Sequence, residues 1–340
     1  MILVGDIGGT NTTIAALEEA DGRFQIVARE RYETPALRGI GEALERFRAS
    51  HGDSWNLVRL CCLSAAGPVR DGVCRMTNAG VTVRDSDVRS VVGVPSFVIN
   101  DFSAICYALP LLDTHDTINT LAFVHPDGSR PQSHGNVRAV VGAGTGLGTG
   151  FLIEDRGHYA AHPSEGGHSD FAPTDELTDE FCTFLRSRFE VAPGVEQYLS
   201  GQGIANAFTF FLETGRLVRD ETVNEIASLP DHRKPGPVAT SASTHPGLAE
   251  IMRLFVRIYA AYARNTALFF LPRGGLYLAG GIAAKNERWF TEDDLFMRTF
   301  ETNYNDRITP LLRDTPVVLI KDYDVSLYGA AHAAVSMADD

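Results

Sequence analysis

Apolar positions along the chain come in short blocks and in helical stripes, and the same order of elements occurs twice. The apolar run beginning at Ile2, the glycines that follow and the apolar residues after Asn11 predict strand, glycine turn, strand over 2–17. Ile40, Ala43, Leu44 and Phe47 recur at helical spacing and predict a helix near 39–50. Mostly apolar runs at 58–63 and 95–99 predict buried strands. The second ends at Asn100-Asp101, with a helix expected at 103–109. The order then restarts: strand at 137–141, glycine turn at 142–148, strand at 149–153. The longest helical stripe covers 248–270 and leads into a strand closed by Gly280-Gly281. A late strand is expected at 317–320, then an Ala-rich terminal helix at 326–336 that returns to the first lobe. The Pro-, Ser- and Thr-rich stretch 230–246 predicts a surface loop. Two strand–turn–strand units in one chain predict two similar α/β lobes.

Composition narrows the partners. With 340 residues the chain has room for two domains. A formal charge of −13 and no basic cluster argue against nucleic acid. The five cysteines are odd in number, irregularly spaced and never C-x-x-C, which argues against a disulfide framework and a cysteine zinc site. Cys61 and Cys62 lie in an apolar run and read as reduced, buried thiols. The first residues open directly as a strand, without the features of a signal peptide, and no apolar run approaches the roughly 20 residues that span a bilayer. The expectation is a cytoplasmic protein without a membrane partner.

Several motifs carry candidate chemistry. The turn Gly5-Asp-Ile-Gly-Gly-Thr-Asn11 can present backbone N–H groups to phosphate oxygens, with Thr10 and Asn11 adding side-chain donors. Asp6 can hold Mg²⁺, directly or through water. A plain tight hairpin is the alternative. Gly142-Ala-Gly-Thr-Gly-Leu-Gly148 is a second such turn, centred on Thr145. It contains no G-x-G-x-x-G, and no Gly-Lys pair occurs in the chain, which excludes the dinucleotide fingerprint and the Walker A loop. Asp101, beyond a strand's carboxyl end, suits a base that accepts a proton from a substrate hydroxyl; an Asx helix cap is the alternative there. Glu165-Gly-Gly-His168, with Glu196 further on, offers donors and acceptors for a polyol, against readings as a loop ion pair and a surface or metal-bound histidine. Gly280-Gly281 suits a flat ring against bare backbone, or a simple strand-to-helix turn.

Taken in order, Gly5–Asn11, Ile99-Asn-Asp101, Gly142–Gly148, Glu165–His168, Ser200-Gly201, Ala279-Gly-Gly281 and Gly329-Ala-Ala-His332 resemble the motifs of bacterial glucokinases and span nearly the whole chain. The resemblance implies the two-lobed actin-like ATPase (ribonuclease H-like) fold, an α/β architecture with a cleft between a small domain (1–108 with 325–340) and a large one (109–324). It implies ATP with Mg²⁺ as cofactors, glucose as substrate and transfer to its 6-hydroxyl, the entry step of glycolysis. In that scheme Asp101 is the catalytic base. Asn78, Asn100, Glu165, His168 and Glu196 grip the sugar. Gly8, Gly9, Thr10, Asn11, Gly144 and Thr145 hold phosphates, and Gly280 and Gly281 lie on the adenine side. A homodimer is the expected assembly. Two departures stand out: the cysteine-rich zinc motif of the repressor–kinase branch is replaced by Cys182 alone, and Val81 stands where relatives carry an aromatic. The rivals are a kinase of another hexose such as mannose or a hexosamine, a non-catalytic sugar sensor, for which the phosphate turn at Gly5 leaves no room for an N-terminal DNA-binding module, and a Rossmann dehydrogenase, which lacks its fingerprint.

Overall fold

The structure is a computed structural model and describes residues 1–20, 22–76 and 80–338. The chain divides into two compact units: Met1–Asp113 with Gly150–Pro163 and Asp322–Asp340, and Thr114–Thr149 with Ser164–Lys321.

The first unit is built on one five-stranded sheet. β1 (Ile2–Ile7), β2 (Asn11–Ala20) and β3 (Arg23–Glu33) are antiparallel neighbours. β4 (Leu60–Ala65) runs parallel to β1. A small antiparallel sheet of β5 (Val69–Arg70), β6 (Val73–Arg75) and β7 (Thr82–Arg84) follows, and β8 (Ser96–Asn100) then lies parallel to β4. Leu3, Cys61 and Leu63 pack with Ala43, Leu44 and Phe47 from the helix Ile40–Ser50 in one core. The terminal helix Val325–Ala338 packs on the helix Asp101–Ala108 and on β1 and β4.

In the second unit, β9 (Thr120–Ala122) is an antiparallel edge strand beside β14 (Val317–Ile320). β10 (Val137–Ala143), β13 (Leu276–Ala279) and β14 are parallel. β11 (Leu147–Asp155) forms a hairpin with β10, and its residues from Gly150 onward pair with β12 (His158–Ser164) as part of the first unit. The order β11-β10-β13-β14 thus repeats β2-β1-β4-β8, a hairpin followed by parallel strands, as the repeated sequence pattern predicts. The expected long helix runs Pro246–Phe270, with proline in its first turn, where its missing N–H leaves no intrahelical bond unmade.

One expectation fails. The stretch 230–246 is largely helical: a short turn at Asp231–Arg233, then the helix Pro235–Ser241, anchored by buried Val238. Pro235 opens that helix from its first position, so proline there starts a helix instead of breaking one. All five cysteines are buried free thiols. Burial pushes Cys61 up to about 12 and Cys74 to about 11. Among the described residues, no helix is long and apolar enough to cross a membrane.

Candidate active site

In the first unit, Asp6 stands near the carboxyl end of β1, Asn100 is the last residue of β8, and Asp101 follows it. The registers Asp6↔Ser64 and Ser64↔Ile99 separate them by a single strand, β4. At about 4.8 Å per strand spacing, both carboxylates leave the carboxyl edge of the parallel strands β1, β4 and β8, where open α/β sheets bind ligands.

The helix cap expected at this position is present, and Asn100 provides it. Its side-chain oxygen accepts the N–H groups of Phe102 (2.9 Å) and Ser103 (3.2 Å), while Nδ2 donates to the Gly67 carbonyl at 3.0 Å. Such a cap is worth about 1 kcal/mol. Because Asn100 takes this task, Asp101 is left as the first helical residue, with one oxygen accepting the Phe102 N–H at 3.0 Å. Burial dominates its electrostatics. It outweighs that hydrogen bond, the negative charge of Asp6 adds to it, and the Asp101 carboxyl is pushed up to about 6.

Asp6 is likewise pushed up by burial, opposed by the Ser326 hydroxyl, which donates to its Oδ2 at 2.7 Å. Ser326→Ala should therefore weaken the protein, at pH values above the raised pKa of Asp6, by about 2 kcal/mol, the usual worth of a hydrogen bond to a charged group. The bond favours ionised Asp6, so urea titrations should show the deficit shrinking as pH falls through the raised pKa of Asp6.

The turn after β1 is braced by Thr34. Its N–H donates to Thr10 O (2.9 Å) and its hydroxyl to Gly8 O (2.7 Å), while Gly8 N–H donates to Asn11 O (2.8 Å). Three turn carbonyls are thus satisfied by protein donors. That leaves the Gly9–Thr10 tip, with exposed Thr10, suited to an anion. Val81 packs beside this turn, lining a small cavity with Ile7, Thr12 and Leu37.

The second unit repeats the device. Gly144 O accepts from Gly201 N–H and Gly146 O from Gly144 N–H, each at 2.8 Å, and Thr145 is exposed at the tip. Glu196 closes the turn: its Oε2 accepts the Leu147 N–H at 2.9 Å. The Glu165–His168 segment lies on the same place. Gly167 sits so close to the Leu147 carbonyl that a Cβ there would clash with it. The Val195 N–H donates to Ser169 O at 2.8 Å, which ties Glu196 to that segment. Glu165 and His168 are 3.7 Å apart with exposed side chains, 74% and 70%. Gly280, just past the end of β13, abuts Ala143, and Gly281 opens the helix Gly281–Lys285.

The Glucokinase family model matches residues 3–337. The chain belongs to the glucokinase family. A glucokinase from Nostoc punctiforme is 30% identical over 99% of both chains, and one from Synechocystis is 31% identical over 98% of this chain and 97% of its own. Among solved structures, a glucokinase from an Antarctic psychrotroph superposes with TM-score 0.81 at 24% identity, covering 98% of each chain. A ROK family glucokinase from Streptomyces griseus in complex with glucose and AMPPNP gives 0.61 at 19%, over 98% of this chain and 99% of that one. The fold is the two-domain actin-like ATPase fold of the glucokinases.

Of the glucokinase motif residues, Asp6, Gly8, Gly9, Thr10, Asn11, Asn100 and Asp101 gather at one sheet edge of the first unit. Gly144, Thr145, Glu165, His168, Glu196, Gly280 and Gly281 gather around the β10–β11 turn and the end of β13 in the second. Asn78 lies outside the described residues. Pattern reading passes over Ser326, Thr34 and Tyr262. The Tyr262 hydroxyl, 2.9 Å from the Thr149 hydroxyl, packs against Gly166. These residues support the motifs from distant parts of the chain and carry no local signature.

Proposed function

We propose that this chain phosphorylates D-glucose at the 6-hydroxyl with ATP, and that Asp101 is the base. The observation that carries this reading is the carboxylate at the end of β8, held near a pKa of about 6. It is ionised at neutral pH, yet basic enough to take the proton of an attacking hydroxyl. Asn100, Asn78, Glu165, His168 and Glu196 hold the sugar hydroxyls. The turns Gly8–Asn11 and Gly144-Thr145 hold the phosphates at their exposed tips, and Gly280-Gly281 face the adenine. The satisfied carbonyls of both turns support this, since unpaired ones would repel an anion.

Asp6 is the residue for Mg²⁺. Its negative charge raises the proton affinity of Asp101, and a hard cation relieves this repulsion. No three His, Cys, Asp or Glu side chains converge among the described residues. Mg²⁺ would therefore complete its shell with water and phosphate oxygens, as it prefers. The ion, when bound, offsets charge on the transferring phosphoryl. We further infer a cytoplasmic homodimer. The buried, free thiols fit a reducing compartment.

The test is ATP- and Mg²⁺-dependent formation of glucose 6-phosphate by the purified chain, with mannose, a hexosamine and fructose as competing substrates. Glucose should give the highest kcat/KM. A higher value for mannose or the hexosamine would move the assignment to that sugar. Glucose binding without turnover would favour the sensor.

A further inference from the structure

We infer that Tyr259, a residue in none of the motifs, positions the nucleotide-binding backbone of the second unit; the inference rests on the nucleotide roles proposed above for Gly144, Thr145, Gly280 and Gly281. Tyr259 lies on the helix Pro246–Phe270 and is wholly buried. Its ring meets Phe255, Phe290 and Phe296 edge-on at centroid distances of 6.1, 5.5 and 6.1 Å. Its hydroxyl, however, reaches strand backbone. It donates to Val141 O at 2.9 Å, lies 3.3 Å from Ala279 O, and accepts the Ala143 N–H at 3.4 Å.

Those three groups belong to β10 and β13 at the point where their pairing stops. The last registered pair is Gly142↔Ala279. Beyond it, β10 continues into the turn that carries Gly144 and Thr145, and β13 into Gly280-Gly281. Where a parallel pairing ends, polar backbone groups inside the protein lose their ladder partners, and an unmet hydrogen bond there is expensive. One phenol oxygen, as donor and acceptor together, joins the two strand ends and fixes the gap between them. The spacing is tight on the other side as well: Gly280 has φ +92°, and a Cβ on it would lie 2.5 Å from Ala143 O. Tyr259 therefore sets the distance between the backbone that receives phosphate and the backbone that receives adenine, without touching the nucleotide.

Tyr259→Phe deletes one oxygen and keeps the ring packing. It should raise the KM for ATP, and the Kd for ATP by calorimetry, about tenfold, the usual effect of one buried hydrogen-bonding hydroxyl. The KM for glucose should stay within about twofold. Tyr277→Phe is the structural control. It also removes a hydroxyl from a buried tyrosine, one at the other end of β13 that faces Gly274 O, and should change melting temperature but neither KM. Gly280→Ala forces the same gap from the opposite side and should reproduce the ATP-selective split, so a Tyr259→Phe chain that fails to fold leaves the inference testable. The positioning role is overturned if Tyr259→Phe leaves ATP affinity within twofold, or raises both KM values alike. It is equally overturned if that variant does not fold and Gly280→Ala shows no split. Wild-type chain that binds ATP but phosphorylates no sugar would sink the proposed activity while the calorimetric comparison still judges Tyr259. A wild type that binds no ATP would overturn both.

Discussion

Asp101→Asn should lower kcat about a thousandfold, within the usual range for a lost general base, and at the same time make the folded protein more stable at pH 8. The first effect follows because an amide cannot take the proton. The second follows from burial. The Asp101 carboxyl moves from an ordinary 3.8 to about 6, which at about 1.4 kcal/mol per pH unit is a penalty of ~3 kcal/mol for keeping it ionised in the fold. A raised carboxyl pKa means stability that is complete below about pH 4 and lost as pH rises through about 6. Asparagine removes that loss while its side-chain oxygen can still accept the Phe102 N–H. Paired urea titrations should show the variant ahead by up to ~3 kcal/mol at pH 8 and level with wild type near pH 4. In the wild type, log kcat/KM for glucose should fall on the acid side with an apparent pKa near 6. Near-normal turnover in the asparagine variant would remove Asp101 from the role. Equal stability at pH 8 would show that the carboxylate is well solvated.

Gly329→Ala should be the most disruptive single-methyl addition in the first unit. Gly329 lies in the terminal helix where it crosses the helix Asp101–Ala108, and a Cβ there would fall inside the van der Waals envelope of the Ala104 carbonyl and within 3 Å of the Ala108 nitrogen. Both partners are backbone and cannot rotate away, so the helices must separate. Overpacking of this kind costs about 3 kcal/mol or more. The displaced helix begins at Asp101, and the displaced partner carries Ser326, which bonds Asp6. We therefore expect lower melting temperature together with a kcat loss of at least tenfold in the protein that remains folded. A destabilised variant with unchanged kcat would mean that Asp101 is held by Asn100 and β8 alone.

These cases show what pattern reading can reach. β4, β10, β13 and β14 were legible as apolar runs because they lie inside their sheets and are buried, β8 because most of it is buried although it is an edge strand, and Pro246–Phe270 because one face repeats at helical spacing. β5, β6 and β7 have two or three residues each, too few to show a period. The helix Pro235–Ser241 was hidden by a composition that usually marks loops. The candidate chemistry stood out where it is local, as in Gly5–Asn11 or Glu165–His168. Its supports did not: Ser326 meets Asp6 across 320 positions, and Tyr259 meets Val141 across 118. Such pairings are products of tertiary packing, and a serine in an Ala-rich helix or a tyrosine in an apolar one looks like filler until the sheet is built. Similarly, nothing local signals that Gly150–Pro163 belongs with the first unit.

The concealment of the sulfur atoms gives each half of the molecule its own clock. Cys61, Cys62, Cys74 and Cys106 belong to the first unit and Cys182 alone to the second. A mild alkylating reagent can reach them only when the surrounding structure opens, so four equivalents of label or one, counted over time, would tell which half loosens first.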